Sequence, residues 1–100
     1  MQSLLQTEKE CYICRNEFGV SNTRYLEKHH IFGASNRNKS EQYGLWVWLD
    51  HDHHNENVRG DAGIHFNQER ALKLKQEAQQ AFMSAYPYLD FIELFGRNYL

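Results

Sequence analysis

No segment of this 100-residue chain has an apolar run near the length a membrane-spanning helix needs, about 20 residues. The opening residues, MQSLLQTEKE, lack the apolar core of a secretory signal. A soluble, cytoplasmic protein without a membrane partner is the expectation. Proline occurs once, at Pro87, and there is no internal repeat or low-complexity tract, so neither a repeat array nor a linker-like chain is indicated. An apolar share of 41% and an aromatic share of 14% instead require a folded core. Cysteine is limited to Cys11 and Cys14. Spaced C-x-x-C in a reducing compartment, they read as metal ligands or a redox pair before they read as a structural disulfide. Positive charge is also short, with 11 Lys and Arg against 13 Asp and Glu and a net charge of −2. That counts against tight stand-alone binding to nucleic acid, because neutralising phosphates takes basic side chains. Bound divalent ions would add charge that this count omits.

What the chain has in excess is histidine, and it is crowded. DHDHHN, residues 50–55, puts three histidines and two aspartates into six residues. Imidazoles and carboxylates packed this closely repel when charged and are costly to bury unpaired, and a metal ion resolves both problems. Three other stretches belong with it: CYIC at 11–14, EKHHIFG at 27–33 and GIHFN at 63–67.

One hundred residues fit a single domain, 1–100, whose small core gains from a metal staple. CYICRNEFG reads as a metal knuckle near a tight turn closed by Gly19. Residues 23–32 have strand propensity, and residues 33–44 form a polar, turn-rich connection. LWVWL, 45–49, is a short buried strand, followed at once by a short helix or turn for which Asp50 can serve as N-cap. Residues 57–63 read as a loop. The clearest helix runs from a cap at Asn67 to Tyr86, with Ala71, Leu74, Ala78, Ala81, Phe82 and Ala85 as its stripe and Lys73, Lys75, Gln76, Gln79 and Gln80 mostly away from it. Pro87 ends it. A last amphipathic turn places Tyr88, Phe91, Ile92 and Phe95 on one side and stops at Gly96. The class is α+β, with a metal-bearing part at 11–65 and a helical part at 67–100.

Adjacent strand side chains point to opposite faces, so His29 and His30 cannot easily share one ion side by side. One can bind metal while the other acts as a general base near neutral pH. A hairpin running directly into a helix would return His54 to the side of His29. This order of HH, strand and H resembles the HNH nuclease superfamily with its ββα-metal fold, over roughly residues 11–65. The resemblance implies a structural zinc on Cys11, Cys14, Asp50 and His53, with His51 as a rival for Asp50 or His53. It also implies a second, catalytic divalent ion on His29 and His54, and His30 as the base that activates water. GIHFN offers His65 as a third ligand of that ion, a feature similar to small phage-associated HNH proteins, as is the closing FGRNYL. The middle Asn of the family pattern is replaced by Leu45. Gly44 or Tyr43 through a backbone carbonyl, or Asn36 or Asn38, are the alternatives for its role.

Such an enzyme would hydrolyse DNA as an endonuclease or nickase in a bacterial cytoplasm, in a phage or prophage setting, with a phage protein complex or a second copy as partner. An all-imidazole site suits Mn, Ni, Co or Zn better than Mg. Among the cations near the site in sequence, Arg24, Lys28, Arg37, Lys39 and Arg59, the loop pair Arg37 and Lys39 fits a phosphate backbone, although a solvated polar loop explains them equally well. Trp46 and Trp48 share a strand face and read as core over the zinc knuckle. Glu27, Asp52 and Asp61 are ordinary surface carboxylates unless they fix histidine tautomers. The alternative function is a non-catalytic zinc-binding module for nucleic acid or protein. A redox C-x-x-C protein is the weakest option, since no βαβ pattern follows the cysteines.

Overall fold

Two strands pair antiparallel: β1 (Leu26–His30) lies beside β2 (Trp46–Asp50), with Leu26 opposite Asp50 and His30 opposite Trp46. The computed structural model describes residues 1–58 and 61–100. Helix α1 (Tyr12–Phe18) precedes the hairpin, and α2 (Arg37–Gln42) lies within its connection after a 3-10 turn at Ala34–Asn36. Helix α3 (His51–Asn55) follows β2 without a break. A two-residue ladder of β3 (Asn57–Val58) and β4 (Asp61–Ala62) leads to a 3-10 turn at Ile64–Phe66. Then come α4 (Gln68–Ala85) and α5 (Phe91–Phe95). The architecture is α+β, as expected.

Local chemistry explains most boundaries. Cys11 caps α1, its sulfur accepting the Cys14 amide, and Gly19 ends that helix at φ 66°, so the knuckle is a helix, not only a turn. The side chains of Asp50, Asn67 and Asp90 accept the amides of His53, Arg70 and Glu93, which starts α3, α4 and α5. Gly96, at φ 82°, stops α5. Strand β1 is shorter than residues 23–32, because Tyr25 sits in the left-handed region at φ 54° and is exposed.

The core joins the hairpin to the helical half through Leu45, Val47 and Leu49, Ile31 and Phe32, Leu74, Ala78 and Phe82, and Phe91 and Phe95. Three expectations change here. Residues 37–42 are helical because the connection packs inward: Ser40 is fully buried and its hydroxyl accepts the Phe32 amide at 2.9 Å. Gln79 is buried on the stripe of α4 instead of facing away, while Tyr88 and Ile92 are exposed and only Phe91 and Phe95 face inward. Trp46 is buried, as expected, and with Trp48 lies beneath the N-terminal segment: Trp46 Nε1 donates to the Met1 carbonyl at 3.0 Å, and the Trp48 amide donates to Gln6 Oε1 at 2.5 Å. Among the described residues no helix is long and apolar enough to cross a membrane.

Candidate metal centres

Two clusters of metal-ligating side chains form around α3. The first is buried. Cys11 and Cys14 project from the start of α1, and Asp50 and His53 from the start of α3, with one ligand atom from each lying within 4.8 Å of the others. His53 Nδ1 is 3.6 Å from Cys11 Sγ and 3.5 Å from Cys14 Sγ, and Asp50 Oδ2 is 3.2 Å from Cys14 Sγ and from His53 Nδ1. Tetrahedral zinc, with bonds of about 2.3 Å to sulfur and about 2.0–2.2 Å to nitrogen and oxygen, sets its ligands roughly 3.4–3.6 Å apart. The sulfur–nitrogen distances agree, and the carboxylate needs only a small rotation outward. The donor set therefore fits structural zinc, and both thiols are free of any disulfide. Asp50 also has a second duty, since its Oδ1 accepts the His53 amide at 2.7 Å and caps α3. Burial pushes its carboxyl up, but the His53 amide, the Cys14 thiol and Asn22 outweigh that and bring it below its ordinary value. Burial, reinforced by Asp50 and Cys11, pushes the Cys14 thiol well above its ordinary value. Metal binding must then displace that proton. His51, the rival ligand, is exposed and lies elsewhere, its ring bridging Glu27 at 3.1 Å and Glu56 at 2.7 Å.

The second cluster is His29, His54 and His65, again with ligand atoms within 4.8 Å of one another. They come from β1, α3 and the 3-10 turn before α4, and their ring centroids are 4.8–5.3 Å apart. His29 and His54 are half-buried, whereas His65 is exposed, so the cluster opens to solvent. Burial, with the neighbouring charges of His54 and His65, pulls the His29 pKa down to about 3. Burial and His54 lower that of His65 as well. Imidazoles kept neutral in this way are ready to donate lone pairs to a cation. The Nδ1–H of His54 donates to Glu27 Oε1 at 2.9 Å, which leaves Nε2 as the nitrogen able to accept a cation. Asn55 donates to the same oxygen at 2.7 Å. Hydrogen bonds from His54 and His51 hold the Glu27 carboxyl below its ordinary range. Glu27 is therefore more than the plain surface carboxylate its sequence context suggested.

His30 is not part of this cluster. It projects from the opposite face of β1, across from Trp46, and its Nε2 lies 3.0 Å from Glu41 Oε1. The same oxygen accepts from Lys28 at 2.8 Å. These contacts, that of Lys28 first, lower the Glu41 pKa. Glu41, which no sequence signal singled out, thus stands beside the histidine that the missing family Asn was expected to support. Asn36 is committed elsewhere, donating to the Phe95 carbonyl at 3.1 Å, and the Gly44 carbonyl accepts from Leu4. Lys39, proposed for phosphate, donates to the Leu94 carbonyl at 2.5 Å, while Arg37 is exposed. Arg59 lies outside the described residues, as does the Asp61 side chain. No protein-family model, curated protein or solved structure matches the chain.

Proposed function

We propose that this chain is an HNH-type endonuclease that nicks DNA with the help of a divalent ion on His29, His54 and His65. The observation that carries the reading is the convergence of three imidazoles from three separate elements on a solvent-open point. The hairpin that runs directly into α3 is the arrangement the family resemblance implies, and the thiol cluster matches its structural zinc. An ion at the imidazoles supplies positive charge to a phosphate as negative charge develops there. The chain's own part is to orient and to move a proton. Glu27 holds His54 by Nδ1, which fixes the ring for coordination through Nε2. Glu41 accepts the Nε2–H of His30, so the Nδ1 lone pair is the one able to take a proton from water. Neutral imidazoles favour Mn, Ni, Co or Zn over Mg at this position.

Plasmid nicking across those metals tests the proposal. We expect relaxed circles with the wild-type chain and a loss of at least about a hundredfold with His30→Ala, the scale of a general-base contribution. Equal nicking by both proteins removes His30 from the role. The second reading, a non-catalytic zinc module, is favoured by one observation: His30 is engaged by Glu41 on the face away from the imidazole cluster. It expects a single tightly held ion at the thiols and no cleavage with any metal.

A further inference from the structure

The C-terminal residues form a built feature that the proposed function has not used. After Gly96 turns the chain, Asn98 and Tyr99 are pinned along α4 by amide side chains. Gln79, 2% exposed, donates through Nε2 to Asn98 Oδ1 at 2.9 Å and accepts the Tyr99 amide on Oε1 at 2.8 Å. Gln76 Nε2 donates to the Tyr99 carbonyl at 2.9 Å. A buried amide is costly unless both its ends are satisfied, and here the tail satisfies them. The Tyr99 ring is thereby fixed 5.3 Å from that of Phe32, two residues beyond His30. Two cations gather on it, with Lys75 Nζ 5.5 Å and Arg97 Cζ 5.1 Å from the ring centre.

Neither cation has a carboxylate partner among the described residues. They leave two positive charges at one aromatic ring with no carboxylate of the described residues to match them. A polyanion that contacts both supplies the missing counter-charge. The ring and its cations lie at the end of β1 and along α4, the elements that carry His29 and follow the turn bearing His65: Tyr99 packs on Phe32, three residues past His29, and Lys75 stands on α4. Resting on the nuclease reading, we propose that Lys75 and Arg97, held on Tyr99, grip the phosphate backbone of DNA beside the imidazole cluster. This assigns the backbone contacts to α4 and the tail, where the sequence suggested Arg37 and Lys39. Phosphate contacts of this kind position a duplex without reading its bases.

Anisotropy of a short labelled DNA duplex, titrated with the zinc-loaded protein at several salt concentrations without other added metal, tests it. Each phosphate contact contributes about 0.9 to the slope of log affinity against log salt. Lys75→Gln and Arg97→Gln should each weaken binding and flatten the slope by about that amount. Lys73→Gln, which removes the same charge from an exposed position on the same helix, should leave the slope unchanged. Zinc content and circular dichroism equal to wild type establish that the variants are folded. Slopes unchanged in both Lys75→Gln and Arg97→Gln overturn the inference, as does a wild type that does not bind the duplex. Nicking with unchanged slopes removes only the grip. Flattened slopes in a protein that never nicks keep the grip and remove the nuclease.

Discussion

Single side chains in this molecule repeatedly serve two partners, and Glu27 is the clearest case. One of its oxygens fixes His54 and is shared with Asn55, and the other meets His51. Carboxylates that hold a ligating histidine by its second nitrogen are typically worth about 10–100-fold in metal affinity. Glu27→Ala is therefore expected to weaken the imidazole site by that factor and leave the thiol site filled. Calorimetric titration of the zinc-loaded protein with Ni or Mn reads the first effect, and elemental analysis the second. At this scale the sequence was most legible where ligands are close together. Cys11 with Cys14, and Asp50 with His53, announce themselves by spacing. The pairing of His30 with Glu41, eleven residues apart, and the capture of Lys39 by the Leu94 carbonyl depend on how α2 packs. No local pattern marks either contact.

Among the elements, those with chemical end-marks were readable in advance. Asn67 starts α4, Asp50 starts α3, and Gly96 stops α5, each by a hydrogen bond or a backbone angle that residue type dictates. Helix α2 has no apolar stripe, only Ser40 buried among polar neighbours, so its sequence reads as loop until Phe32 supplies a partner. Gln79 departs from its expected exposure because the tail offers this polar side chain hydrogen bonds in the interior. One glycine governs how elements meet at the candidate metal centres. A Cβ on Gly63 would lie 2.7 Å from the Asp52 carbonyl oxygen and 2.9 Å from that of Glu56. Both are backbone atoms that cannot swing aside. Gly63→Ala should push the turn bearing His65 away from α3. The expected result is a chain that keeps its thiol-bound zinc and loses its second ion, a difference of one metal per chain by mass spectrometry under native conditions.

For the whole molecule, acid is the expected weakness. His29 has an ordinary pKa of 6.5 and one of about 3 in the fold, so below pH 6.5 the unfolded chain binds a proton that the folded chain refuses. Unfolding then gains about 1.4 kcal/mol per pH unit from this group as pH falls toward 3. Glu27 and Glu41, whose values are lowered, act in the same direction, because their stabilisation is lost as pH falls through their folded values. Urea melts of the metal-free protein between pH 7 and 5 should show stability falling with acid, and a flatter dependence in His29→Gln. Zinc bound at the thiols would oppose the loss for as long as it keeps their protons displaced. At a thousandfold excess over its dissociation constant it adds about 4 kcal/mol, which a chelator removes.

Asp50, His53 and His54 occupy one short stretch of backbone, yet the first two face the thiols and the third faces the other imidazoles. Because Asp50 both caps that turn and belongs to the inner cluster, an ion bound at the inner cluster would brace the support on which the outer cluster stands. Loading should proceed in a fixed order, inner before outer. On the proposed reading, a cell short of zinc would hold chains that are present in number but lack the outer ion, and metal supply, more than expression, would set how many carry both.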